Sequence, residues 1–180
     1  MEGLSVIPEC YIDTCLTETI TSCFNQFNHQ KGCNTVCKVM QEKFGNSFAL
    51  GIIDKDKKEV PYLQEFDLAV SNDSLFVYKH ASKHHYIIQI TPAIERFFMK
   101  AASEIGVNLA LYGISSDMKE LTRVTKQVSD KNEPIFKSFK KLFRDLSEAS
   151  EMVRLANLIQ YLGKNRYEVE MGELVRIVRE

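Results

Sequence analysis

Ser47-Phe48-Ala49-Leu50-Gly51-Ile52-Ile53-Asp54-Lys55-Asp56-Lys57-Lys58 is the stretch that decides how this chain folds. An apolar run bounded by Gly45-Asn46 on one side and by charge on the other reads as a buried strand of a parallel sheet. It ends abruptly in two carboxylates spaced i, i+2. Ligands of open α/β sheets bind at the carboxyl ends of the strands. Asp54 and Asp56 would point the same way from an extended strand end, within reach of one hard cation. Taken alone, the stretch fits an acidic turn flanked by solubilising lysines better. A partner elsewhere in the chain has to decide.

Working outward, residues 4–9 read as a short strand with Pro8 near its end. Residues 11–24 carry a helical stripe of Ile12, Cys15, Leu16, Ile20 and Cys23, with Asp13 in the first turn, where an acid suits the helix dipole. A weak, polar strand is expected over 24–31. A second helix opens at Gly32, turns Val36, Val39 and Met40 inward and stops at Gly45-Asn46. Strand, helix, weak strand, helix, strand is a βαβ-type alternation and predicts a mainly parallel, Rossmann-like sheet flanked by helices.

Residues 55–72 read as a charged connection. Residues 75–78 and 86–90 are strands that could pair as a hairpin. Thr91-Pro92 reads as a helix start with Glu95 near capping-box spacing, and that helix ends at Gly106. From Asp117 onward four helical patterns follow with no strand between them. The expected organisation is an α/β domain over 1–114 and a helical C-terminal extension over 115–180.

With 180 residues, 44% hydrophobic and 26% charged, the chain has material for a substantial core. A net charge of -1 excludes a surface that attracts polyanions as a whole, so any nucleic-acid contact must come from a local patch. Five cysteines crowd the first quarter without a CxxC pair, which argues against a disulfide framework and a zinc knuckle. Cys33 and Cys37 read as small buried hydrophobes. No stretch is apolar enough to span a bilayer and no secretory leader opens the chain, so a reduced, cytoplasmic protein is expected. There is no phosphate loop of the GxxxxGK[ST] kind; if ATP gating belongs to the biology, an ATPase partner chain must supply it.

Glu9 closes the first strand. With helical connections between the strands, it falls on the same sheet edge as Asp54 and Asp56. Three carboxylates converging there repel one another unless a divalent cation neutralises them.

In this order of motifs the chain resembles the TOPRIM domain, the topoisomerase–primase metal-binding fold shared with nucleases of the overcoming-lysogenization-defect type. The resemblance rests on Val6-Ile7-Pro8-Glu9, on Asp13 four positions later, on the glycine of Lys31-Gly32-Cys33-Asn34-Thr35-Val36, and on Gly51-Ile52-Ile53-Asp54-Lys55-Asp56. It covers residues 4–58. It departs from the family at Cys10, where a glycine usually follows the glutamate, and this bears on how closely a phosphate approaches the backbone. The resemblance implies a Mg²⁺ or Mn²⁺ site acting on nucleic-acid phosphodiesters. Asp54 and Asp56 would hold the metal, with Glu9 as general acid/base or a further ligand. Asp13, Glu95 and His29 are additional candidates.

Each of these has a plainer alternative. Glu95 reads equally as a capping-box glutamate. His80, His84 and His85 flank the hairpin turn and read as exposed strand ends; His29, beside Lys31 and Gly32, is the best placed of the four histidines. Lys137, Lys140 and Lys141 lie on a basic helix face, ordinarily a solvated one; beside the sheet edge they and Lys31 would meet a nucleic-acid backbone. Two other functions compete with the nuclease: a non-catalytic TOPRIM-like binding or regulatory module, and a phosphatase of haloacid-dehalogenase type. The phosphatase ranks third because its Asp-x-Asp belongs on the first strand. The sequence leaves a homodimer and the choice of DNA or RNA open.

Overall fold

A computed structural model describes residues 4–55 and 60–180. The N-terminal part alternates as the apolar runs require: β1 (Val6–Pro8), α1 (Tyr11–Thr21), α2 (Cys33–Val39), continued by a wider turn at Met40–Phe44, and β2 (Ala49–Asp54). Then come β3 (Phe66–Ser71), β4 (Leu75–His80), β5 (His85–Ile90) and α3 (Ile94–Ile105). Four helices follow: α4 (Met118–Gln127), α5 (Pro134–Asp145), α6 (Ser150–Asn165) and α7 (Met171–Arg179).

The five strands form one sheet in the order β1-β2-β5-β4-β3. β1 with β2 and β2 with β5 are parallel, whereas β5 with β4 and β4 with β3 are antiparallel. The sheet is therefore mixed, and the expectation of a mainly parallel sheet is corrected. The cause is β3, which lies in the stretch expected to be a charged connection. As an edge strand it keeps Asp67 and Leu68 exposed, so its apolar signal is too weak to stand out. The weak strand expected over 24–31 is an extended segment without regular strand pairing. It runs beside β1, with Asn28 and Gln30 N–H groups donating to the Val6 and Pro8 carbonyls at 2.8 and 3.0 Å.

Alternation along the strands divides two cores. Leu50 and Ile52 of β2, Ile88 and Ile90 of β5, and Val77 of β4 face α1, α3, α5, α6 and α7, packing with Leu16, Phe98, Phe139, Leu155 and Leu174. Ala49, Ile53 and Ile87 face the other way, against Val36 and Cys37 of α2, Met40, Tyr62 and Phe66. The helices beyond Met118 thus share the larger core with the sheet. The buried Cys33 and Cys37 sit in the smaller one.

Gly51 sits where α2 comes closest to the sheet. A Cβ there would stand 2.6 Å from Ile87 Cδ1 and 3.0 Å from Val36 Cγ1. Ile87 can swing its tip aside, but the β-branched Val36 cannot yield so easily. Gly51→Ala is expected to cost about 1–2 kcal/mol in urea unfolding through overpacking; an unchanged midpoint would show that α2 shifts freely.

His80 and His85 lie at the carboxyl end of β4 and the amino end of β5, buried rather than exposed. His80 Nε2 pairs with Glu65 Oε2 at 3.0 Å, while its Nδ1 accepts the Ser82 and Lys83 N–H groups. His85 Nδ1 meets the Tyr62 hydroxyl at 2.5 Å, and burial pushes the His85 pKa down to about 4. These histidines hold the hairpin together at the edge opposite the strand ends that carry Glu9 and Asp54.

Candidate functional site

β1, β2 and β5 run parallel, so their carboxyl ends open on one edge. Pro8 pairs in register with Ile52, and Asp54 with Ile90. Glu9 is held from three sides. Its N–H donates to the Ile52 carbonyl (3.0 Å), its own carbonyl accepts the Gly32 N–H (3.0 Å), and its Oε2 accepts the Asp54 N–H (3.1 Å). Gly32 begins α2 at φ 89°, a left-handed conformation that favours glycine. The glycine noted in the sequence therefore serves to position Glu9.

Asp54 Oδ1 accepts the N–H of Ile94, the first residue of α3, at 2.9 Å. Ala93 offers that helix no side-chain cap, so Asp54 supplies one from the neighbouring strand. Glu95 follows in the same first turn, buried, and accepts a short hydrogen bond from the Thr125 hydroxyl of α4. The expected Thr91 cap and capping box are corrected: the helix begins later and Glu95 is turned into the recess toward α4. Asp13, in the first turn of α1, is buried, and its Oδ1 has no hydrogen-bond partner.

Four carboxyl groups thus crowd one recess. Burial, then the charges of Asp13, Glu9 and Glu95, push the Asp54 pKa up to about 9. Burial, with the charges of Glu9 and Glu95, pushes Asp13 to about 7, against the Cys10 hydrogen bond that lowers it. Cys10 is the cap of α1: its Sγ accepts the Asp13 N–H at 3.3 Å. Burial and the neighbouring Asp13 raise its thiol pKa well above normal, so it stays protonated. Its capping role accounts physically for the side chain at this position.

These groups line a recess of about 640 Å³ with Tyr11, His29, Lys31, Lys126 and Ser129. Of the residues singled out in the sequence, Glu9, Asp13, Asp54, Glu95, His29 and Lys31 all line it. Asp56 lies outside the described residues. Among the described residues, Lys137, Lys140 and Lys141 do not line it; Lys140 stands over Phe24 and Lys141 over Tyr112. Of the wall formed by Thr125, Lys126 and Ser129, only Lys126 carried a sequence signal, as part of the basic bias of the C-terminal helices; Thr125 and Ser129 reach the site only through the fold.

The donor set is all carboxylate oxygen with a buried, unsatisfied Asp13 oxygen, which is chemistry suited to Mg²⁺ or Mn²⁺. As the side chains stand, no three of the described His, Cys, Asp and Glu residues are placed to hold one ion. Closure around a cation would require the carboxylates to lose protons and draw together.

No family model, curated protein or solved structure matches this chain. What the fold and the site define is a mixed α/β protein with a five-stranded sheet, a helical C-terminal region and an acidic recess at its parallel strand ends. No helix among the described residues is long and apolar enough to cross a membrane.

Proposed function

We propose that this chain is a TOPRIM-type, Mg²⁺- or Mn²⁺-dependent nuclease or phosphotransferase acting on nucleic-acid phosphodiesters. The observation that supports this most is the convergence of Glu9, Asp13, Asp54 and Glu95 in one recess that also carries Lys31 and Lys126. Asp54, with Asp56 and Glu9, would hold the cation, and Asp13 and Glu95 would complete its surroundings. Such an ion, when bound, stabilises charge on a transferring phosphoryl group and lowers the pKa of an attacking water.

The chain's own residues do the rest. The Glu9 backbone is fixed at the strand end by Ile52 and Gly32, and its Oε2 accepts the Asp54 N–H, so its carboxylate is placed in the recess to take or return a proton. Lys31 and Lys126, exposed at the rim, attract and position the phosphate backbone. Thr125 keeps Glu95 directed into the recess.

The test incubates wild type and Asp54→Ala with single- and double-stranded DNA and RNA in Mg²⁺, in Mn²⁺ and in chelator, with and without any ATPase that co-purifies. Metal-dependent cleavage by wild type alone is expected. Equal cleavage by both proteins would place the activity elsewhere. The absence of any three described side chains ready to ligate favours, as a second reading, a non-catalytic binding module. No cleavage by either protein, with partner binding that ignores the Asp54 substitution, would establish that module instead.

A further inference from the structure

Beside the carboxylates the recess has a feature that metal chemistry does not require. Tyr11 and His29 lie ring against ring, with centroids 4.0 Å apart and planes tilted by 32°. Both line the recess and both are only half-buried. Their positions are set independently. Tyr11 is the first residue of α1, directly after the Cys10 cap, and His29 sits on the extended segment pinned to β1 through Asn28 and Gln30. His29 Nδ1 is bonded to the Thr14 hydroxyl at 3.2 Å, which fixes the rotation of the ring. Burial lowers the His29 pKa, favouring the uncharged ring. A neutral, anchored aromatic pair offers a flat apolar surface, with Lys31 two residues further along the same segment.

We propose that Tyr11 and His29 form a stacking platform for one unpaired base of the substrate, so that the site takes single-stranded nucleic acid in preference to continuous duplex. This rests on the nuclease reading above and specifies its substrate class. Bases stack on aromatic side chains with little regard to sequence, while adjacent cations follow the backbone. The size of the recess agrees: about 640 Å³ falls within the roughly 300–1,000 Å³ of pockets that enclose a small molecule, which suits a splayed nucleotide better than a base-paired helix. A base on the rings would leave its phosphate between Lys31 and the Glu9 strand end. DNA and RNA strands share the stacking chemistry, and the 2′-hydroxyl separates them only where a group contacts it.

The test measures binding of labelled oligothymidylate and oligouridylate of about 12 nucleotides, within the roughly 4–16 nucleotides of single-strand sites, and of a matched duplex. Ca²⁺ replaces Mg²⁺ so that the strands stay whole. The full chain is compared with Tyr11→Ala, His29→Ala and the ring-retaining Tyr11→Phe, with melting curves to confirm folding. Single strands are expected to bind wild type at least tenfold more tightly than duplex. Tyr11→Ala should weaken that binding roughly 5- to 160-fold, the range for loss of one stacked base, and Tyr11→Phe should restore it. An abasic unit walked along the strand should reproduce the loss at one position in wild type and add little in Tyr11→Ala. Ring-independent binding, or duplex bound as tightly as single strand, would overturn the platform. Cleavage of the same strands in Mg²⁺ separates the two ideas. Asp54-dependent cleavage with ring-independent binding removes the platform and keeps the nuclease; neither binding nor cleavage of any strand removes both.

Discussion

Asp54→Asn is expected to raise the melting temperature of the metal-free protein at alkaline pH and to flatten its dependence on pH. The folded-state pKa values of Asp54 and Asp13, about 9 and about 7, stand above the ordinary 3.8. A raised folded-state pKa means that the native protein binds more protons than the unfolded chain. The associated stability is complete below pH 3.8 and is lost as pH rises toward the folded-state values. His85 acts in the opposite sense. Its folded-state pKa of about 4 lies below 6.5, so its contribution grows as pH rises from 4 to 6.5 and is constant above.

His85 offsets part of the carboxyl slope in mild acid, and from pH 6.5 toward 9 the carboxyl groups dominate. One retained proton is worth about 1.4 kcal/mol per pH unit, so wild type in chelator should lose on the order of 2–3 kcal/mol between pH 7 and 9. For a chain of this length that is about 4–12 °C in Tm. Asparagine keeps an oxygen for the Ile94 N–H and removes the charge. Thermal melts at pH 6.5, 7.5 and 9 in chelator read the difference directly. Added Mg²⁺ or Mn²⁺ should restore wild type at pH 9 and leave Asp54→Asn unmoved. A wild-type Tm that rises with pH above 7 would contradict the buried, mutually repelling carboxylates.

Glu9→Gln carries the second large effect. The amide oxygen can still accept the Asp54 N–H that Glu9 Oε2 accepts at 3.1 Å, and the backbone bonds to Ile52 and Gly32 do not involve the side chain. The fold should therefore persist, with Tm within a few degrees of wild type. On the proposed nuclease reading, proton transfer is lost and turnover on a nucleic-acid strand is expected to fall by about 10²–10⁴-fold, the usual contribution of a positioned acid or base. If Glu9 transfers the proton, the Mg²⁺ concentration for half-maximal rate should stay near the wild-type value. If it is a ligand, that concentration rises along with the loss of rate. Full activity in Glu9→Gln would remove this side chain from the chemistry.

The sequence by itself determined the elements whose signal is local. The run 49–54 is apolar on both faces, and its alternation sends Leu50 and Ile52 to one core and Ala49 and Ile53 to the other. The helices after Asp117 carry their own periodicity and formed where it indicated. Glu9 and Asp54 could be placed on one edge because parallel strands must end on the same side. Tertiary structure decided the rest. β3 became a strand only because β4 offered it an edge; its exposed Asp67 and Leu68 disguise it in isolation. Glu95 looked like a capping residue until α4, far along the chain, brought Thr125 to it. His80 and His85 looked exposed beside lysines, yet Tyr62 and Phe66 fold over them. Burial and long-range pairing depend on which segments meet, and a local pattern of residue types does not specify its distant neighbour.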